Sequence, residues 1–97
     1  MTYRVIVRPL AERDIVDAKE WYDLRRPGLG SEFLDMLDEL LERLERSPLI
    51  YPVVYRGMRR AVLRRFPYLV YFLVSGETVS VTACLHAARD PRLIESR

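Results

Sequence analysis

Ser31-Glu32-Phe33-Leu34-Asp35-Met36-Leu37-Asp38-Glu39-Leu40-Leu41-Glu42-Arg43-Leu44-Glu45-Arg46 is the stretch that decides the fold. Phe33, Leu37, Leu40 and Leu44 recur at helical spacing, so a helix stacks them on one stripe that Leu34 and Leu41 widen. Asp35, Asp38, Glu39, Glu42 and Glu45 form its wet face, where Glu39 to Arg43 and Glu42 to Arg46 have the spacing of supportive i,i+4 pairs. The segment just upstream has a matching stripe. From Ala11 to about Arg25, Ala11, Ile15, Ala18 and Tyr22 line one side of a helix, and Glu12, Arg13, Asp14, Asp17, Lys19, Glu20 and Asp23 occupy the others. Arg26-Pro27-Gly28-Leu29-Gly30 separates the two, because proline cannot continue the hydrogen-bond ladder and the glycines permit the turn. The pair reads as a helical hairpin with facing apolar stripes.

Outward from the hairpin the period changes. Upstream, Tyr3 to Arg8 holds the β-branched run Val5-Ile6-Val7 before Pro9, as a partly buried strand does. Downstream, Ser47-Pro48 ends the second helix, and a connection punctuated by Pro48 and Pro52 leads to three expected strands. These are about Met58 to Arg65, Tyr68 to Val74 and Thr78 to Leu85, with Ser75-Gly76-Glu77 as a hairpin turn. Simple alternation in the last strand points Val79, Val81, Ala83 and Leu85 to the helices and Ser80, Thr82, Cys84 and His86 to a polar face. The strand from Met58 has arginines on both faces and is not oriented by its pattern. The expected architecture is α+β, in the order β-α-α-β-β-β: a small, mostly antiparallel sheet with the helical hairpin packed on one face. Parallel pairing of the first strand with the last suits the two-helix crossover, while the strand order otherwise stays open.

The 97 residues, 49% hydrophobic and 31% charged, make one ordinary globular domain over 1–97 and exclude a disordered polyelectrolyte. Cys84 is the single cysteine, so an intrachain disulfide framework and a thiolate metal site are excluded. No stretch approaches the length of apolar chain that crosses a bilayer, and the expectation is a cytoplasmic protein without membrane partners. The net charge of +2 hides an asymmetry. Residues 10–46 hold eleven acidic side chains against six basic ones, and residues 47–97 hold three against eight. Fifteen of the sixteen basic residues are arginine, the cation best shaped for phosphate and carboxylate. Arg56, Arg59, Arg60, Arg64 and Arg65 fall close together, which suits either a surface for nucleic acid or an acidic partner, or a merely solvated strand.

His86 is the only histidine, at a strand end and near Arg89, where it is either a general acid-base or a structural hydrogen-bonding group. Cys84 reads as a half-buried strand residue, since nothing in the sequence supplies an oxyanion hole or an orienting partner for a nucleophile. The acidic residues have no paired-carboxylate spacing, no metal set emerges, and Gly28-Leu29-Gly30 lacks the lysine-serine pair of a phosphate loop. No cofactor is expected. Among the aromatics interleaved with arginine, Phe66, Tyr71 and Phe72 are expected in the core, and Tyr68 stands at a strand entrance.

Several features now stand in a particular order: Ala11-x-x-Asp14-Ile15, Trp21-Tyr22, Gly28-Leu29-Gly30-x-x-Phe33 and Pro48. After them come Arg59-Arg60, Phe66-Pro67-Tyr68-x-x-Tyr71 and Leu85-His86-x-x-Arg89-Asp90-Pro91. In that order and spacing the chain resembles the RelE/ParE superfamily of toxins from bacterial type II toxin-antitoxin modules, over nearly its whole length. The resemblance implies a compact sheet with a helical hairpin, and a cognate antitoxin with which the toxin forms a hetero-oligomer. It also implies one of two targets. RelE-like members cut messenger RNA on the ribosome; ParE-like members inhibit DNA gyrase.

The nuclease pattern is incomplete here. RelE-like nucleases commonly carry an arginine where this chain has Tyr68, and their C-terminal strand often ends in a catalytic tyrosine or histidine-tyrosine pair, where here His86 is followed by Ala87 and Ala88. A nuclease set would have to use His86 as acid or base with Arg60, Arg64 or Arg65 neutralising phosphate. The ParE-like branch is therefore the leading expectation, with Arg59, Arg60, Arg64, Arg65, Tyr68, His86 and Arg89 as the target-binding surface. The alternatives are a ribosome-dependent endonuclease using the same face, and a subunit that binds antitoxin without being toxic.

Overall fold

The computed structural model describes residues 2–97. Strand β1 (Arg4–Val7) leads through Arg8 into α1 (Pro9–Arg25), with Pro9 at the first helical turn, where its missing N–H costs nothing. Helix α2 (Leu29–Arg46) follows, then a 3-10 turn (Pro48–Ile50), β2 (Val53–Tyr55), β3 (Met58–Val62), β4 (Tyr68–Ser75), β5 (Thr78–His86) and a closing 3-10 helix (Pro91–Ser96). The sheet order is β1-β5-β4-β3-β2, with β1 parallel to β5 and every other pair antiparallel.

Four strands therefore follow the hairpin instead of the expected three. The extra one, β2, is only three residues long and sits after Pro52, so it has no periodicity to read. Its turn was the legible signal. Arg56 and Gly57 both have positive φ, 42° and 80°, between the paired residues Tyr55 and Met58, which is the two-residue hairpin geometry that glycine favours. Strand β3 ends at Val62 and not at Arg65. Arg65 turns into the left-handed region (φ 69°), sends its guanidinium to Glu32 on α2 (2.9 Å) and lets Phe66 fold inward.

The helices meet closely at their turn. The Gly30 N–H donates to Asp23 Oδ1 at 2.7 Å, while Lys19 holds Asp23 Oδ2 at 2.8 Å. A Cβ on Gly30 would lie 2.6 Å from both the Asp23 carboxylate and the Lys19 carbonyl, so only glycine lets α2 start here. The anticipated Glu39–Arg43 and Glu42–Arg46 pairs are not closed among the described residues; Glu39 instead lies 4.0 Å from Arg64 across the helix–sheet boundary. Between the layers lie Ala18 and Tyr22 of α1, Phe33, Leu37, Leu40 and Leu44 of α2, and Ala61, Val70, Phe72, Val79 and Val81 of the sheet. Phe33 is fully buried, which contributes about 2–3 kcal/mol by area transfer. It packs within 5.1–5.6 Å of the rings of Tyr22, Phe66 and Tyr68. Phe66, Tyr71 and Phe72 are buried as expected.

The last strand departs from simple alternation. Tyr71 pairs with Ala83 and Phe72 with Val81, so Thr82 is an extra residue in β5, and its hydroxyl donates to the Tyr71 carbonyl at 3.3 Å. The bulge exchanges faces. Val79 and Val81 point to the helices, but beyond Thr82 it is Cys84 that joins their core, while Ala83 and Leu85 turn to the opposite side. That opposite face is not simply polar. Ile94 of the closing 3-10 helix packs there against Met58, Tyr71, Ala83 and Leu85. Pro91 starts this short helix, and Asp90 caps it by accepting from the Arg92 N–H at 2.9 Å.

Candidate functional site: a cleft between the first helix and the end of the last strand

On α1, Asp14, Ala18 and Trp21 follow at helical spacing and share one flank. That flank faces Tyr68 at the start of β4 and Cys84 and His86 at the end of β5, and together they line a cleft of about 360 Å³ whose lining Asp17, Leu85 and Arg89 complete. The bulge at Thr82 is what brings Cys84 and His86 to this side. Tyr68 and His86 are register partners across the sheet, and their rings meet edge to face at 5.3 Å.

The floor of the cleft is sealed by side chains acting as a strand. The last backbone bond joining β1 to β5 runs from Arg8 N–H to the Val81 carbonyl, at 2.9 Å, because β1 is much the shorter of the two. Beyond it β5 has an open edge. Asp14 Oδ2 accepts the Cys84 N–H at 3.0 Å, and Arg97 Nη1 donates to the Thr82 carbonyl at 2.9 Å. Arg97 also grips Asp14 through two contacts of 2.8 and 3.1 Å, with both side chains only about 15% exposed. The carboxylate and guanidinium thus replace one rung of a missing strand.

This arrangement decides the chemistry available. Cys84 is 1% exposed, and burial, followed by the nearby Asp14 charge, pushes its thiol up to about 12. It stays protonated and cannot act as a nucleophile near neutral pH. Burial likewise raises the Tyr68 phenol, keeping it neutral. His86 Nδ1 accepts the Ala88 N–H at 3.0 Å, which leaves Nε2 as the ring's hydrogen-bearing nitrogen. Trp21 is 49% exposed, beneath the Arg25 guanidinium at 4.1 Å.

Of the seven residues that the sequence put forward, only Tyr68, His86 and Arg89 share this cleft. Arg59 faces the helix side and donates to the carbonyls of Tyr51 (2.6 Å) and Leu49 (3.3 Å), fastening the connection after α2. Arg65 joins Arg26 on Glu32, and Arg64 approaches Glu39. Arg60 pairs with Tyr71 in the ladder, on the sheet face away from the helices, and is exposed. The arginine run is therefore dispersed over three surroundings. Sequence reasoning gave no site role to Asp14, Asp17, Ala18 and Trp21. An exposed tryptophan one helical flank away from two aspartates was the available signal.

With this geometry in hand, comparison with known proteins is informative. A chain from the chromosomal ParDE toxin-antitoxin system of P. aeruginosa superposes with a TM-score of 0.78 at 17% identity, covering 88% of this chain and 96% of that one. The fold is thus shared with that chain. Residues 5–91 match the family described as ParE toxin of type II toxin-antitoxin system, parDE. Toxin ParE2 of Mycobacterium tuberculosis, from strains H37Rv and CDC 1551, is 24% identical over 97 residues, covering 99% of this chain and 92% of that protein. The chain belongs to the ParE toxin family of type II toxin-antitoxin systems.

Proposed function

We propose that this chain arrests bacterial growth by binding DNA gyrase in the cytoplasm, that a cognate antitoxin neutralises it in a hetero-oligomer, and that it does so without catalysing a reaction. Membership of the ParE family supports the gyrase target. The observation that carries the non-catalytic reading is the condition of the cleft. Its thiol is held protonated, its phenol is held neutral, and Asp14 is already bound to Arg97 and to the Cys84 N–H. Ribonucleolytic transfer needs a base for the ribose hydroxyl and an acid for the leaving oxygen; the neutral Tyr68 phenol can donate but not abstract a proton, so His86 is the only group left as base.

Purified toxin titrated into a gyrase supercoiling assay tests the reading, and dose-dependent inhibition is the expected result. Mapping of messenger RNA 5′ ends shortly after induction without antitoxin provides the opposing outcome. New ends clustered within translated codons would replace gyrase by the ribosome, and His86→Ala would then sharply slow cleavage. Harmless overexpression would leave an antitoxin-binding subunit.

A further inference from the structure

The cleft has unused donors and a cation on its strand side, facing one carboxylate unpaired among the described residues, Asp17, on its helix side. Among the described residues Arg89 forms no ion pair, and the Tyr68 hydroxyl donates no hydrogen bond within the protein. His86 keeps Nε2–H as a donor because Nδ1 is taken. Trp21 is covered on one face by the Arg25 guanidinium, outside the cleft lining. The floor contributes no net charge, since Asp14 and Arg97 cancel one another and the Cys84 thiol is neutral. The Tyr68 and His86 donors and the Arg89 charge therefore share one side of a cleft of about 360 Å³, beside the apolar surfaces of Ala18 and Trp21.

We infer that this cleft is a docking pocket for a single side-chain carboxylate, an aspartate or glutamate presented by the target protein, with Arg89 as its cationic partner. The inference rests on the proposed gyrase reading for the identity of the target. One observation favours a lone carboxylate over a nucleic-acid backbone: Asp17 lines the cleft opposite Arg89 and forms no ion pair among the described residues. A nucleic acid brings a run of phosphates, about one per 3.4 Å of duplex axis on each strand, and would carry some of them toward Asp17, whereas one carboxylate needs only the Arg89 side. Asp17 is thus a specificity residue that repels polyanions, and Arg89 supplies the bidentate attraction.

The test has two arms. In the first, the N-methylamide of N-acetylaspartate is titrated into the whole chain while the Trp21 indole N–H and Ala88 amide resonances are followed by NMR. The asparagine analogue and a short RNA serve as comparisons. Saturable shifts in the millimolar range are expected for the aspartyl probe, with affinity about ten-fold lower for the asparaginyl probe and for the Arg89→Gln variant. Asp17→Asn should strengthen RNA binding more than it strengthens aspartyl binding. Equal response to the two amino-acid probes, or tighter binding of RNA to the unmodified protein, overturns the inference.

In the second arm, Arg89→Gln and Arg89→Lys are compared in gyrase supercoiling and in antitoxin binding. The expected result is about a ten-fold rise in the half-inhibitory concentration for the glutamine variant, partial recovery with lysine, and little change toward antitoxin. Unchanged inhibition by Arg89→Gln removes the pocket from the gyrase contact while leaving the gyrase reading intact. Lost antitoxin binding with normal inhibition reassigns the pocket and overturns the inference. If unmodified toxin does not inhibit gyrase while the aspartyl probe binds as expected, the gyrase reading fails and the carboxylate preference stands.

Discussion

The arginine run from Arg59 to Arg65 and the cleft beside α1 differ in how many of their polar groups are already engaged. In the run, Arg59 is spent on two backbone carbonyls, Arg65 on Glu32, and Arg64 leans toward Glu39, so Arg60 alone is unengaged among the described residues. In the cleft the engagement is confined to the floor, where Asp14 and Arg97 cap the β5 edge, while the rim keeps Arg89 and the Tyr68 and His86 donors available. Density of charge along a chain is thus a poor guide to charge available for binding. A guanidinium that has found a carbonyl inside the fold must break that bond before it can serve a partner.

Substitutions should rank by that engagement. Asp14→Ala is expected to be the most damaging, costing about 3 kcal/mol, because it strands a largely buried Arg97 and leaves the Cys84 N–H unpaired. Urea unfolding reads this as a lowered midpoint, and a loss no greater than that of a surface mutation would show that water caps the β5 edge equally well. In the same variant Cys84, otherwise protonated and inert to iodoacetamide at pH 8, should become alkylated at a measurable rate.

Arg59→Ala comes next, at about 1.5 kcal/mol, through two carbonyls losing a charged donor. Arg65→Ala should cost no more than about 0.5–1 kcal/mol, as its pair with Glu32 is exposed. Arg60→Ala is expected to lie within about 0.5 kcal/mol of the parent. An Arg60 variant as unstable as the Arg59 variant would erase the distinction between the two.

The smallest effect concerns pH. Lys19 and the Gly30 N–H hold the Asp23 carboxyl below its ordinary range, and Arg65 and Arg26 do the same for Glu32. A carboxylate with a depressed folded pKa contributes stability that is present above the unfolded value and disappears as pH falls through the folded one. Thermal melting should therefore fall on acidification from about pH 6 to pH 3, and fall less in Asp23→Asn and Glu32→Gln. Equal acid sensitivity in all three proteins would place the titration elsewhere.

The helical hairpin was readable because its signal is local: the stripes of Ala11 to Tyr22 and of Phe33 to Leu44 repeat within single elements, and each is buried where the repeat puts it. The proline and glycine turn, the hairpin after Val74 and the parallel joining of first and last strands are likewise consequences of short-range pattern and of crossover geometry. Strand β2 escaped because three residues carry no period. The ending of β3 escaped because its cause, the reach of Arg65 to Glu32, spans 33 residues.

What the sequence determined by itself, then, is the helical hairpin, four of the five strands, the two-layer architecture and the family, since these follow from periodicity, turn chemistry and the order of motifs. The site was decided by tertiary structure. One extra residue at Thr82 turns Cys84 and His86 toward α1, and the shortness of β1 opens the edge that Asp14 and Arg97 close. A bulge shifts every following side chain to the other face and depends on how two strands settle against each other, so alternation within β5 alone could not reveal it.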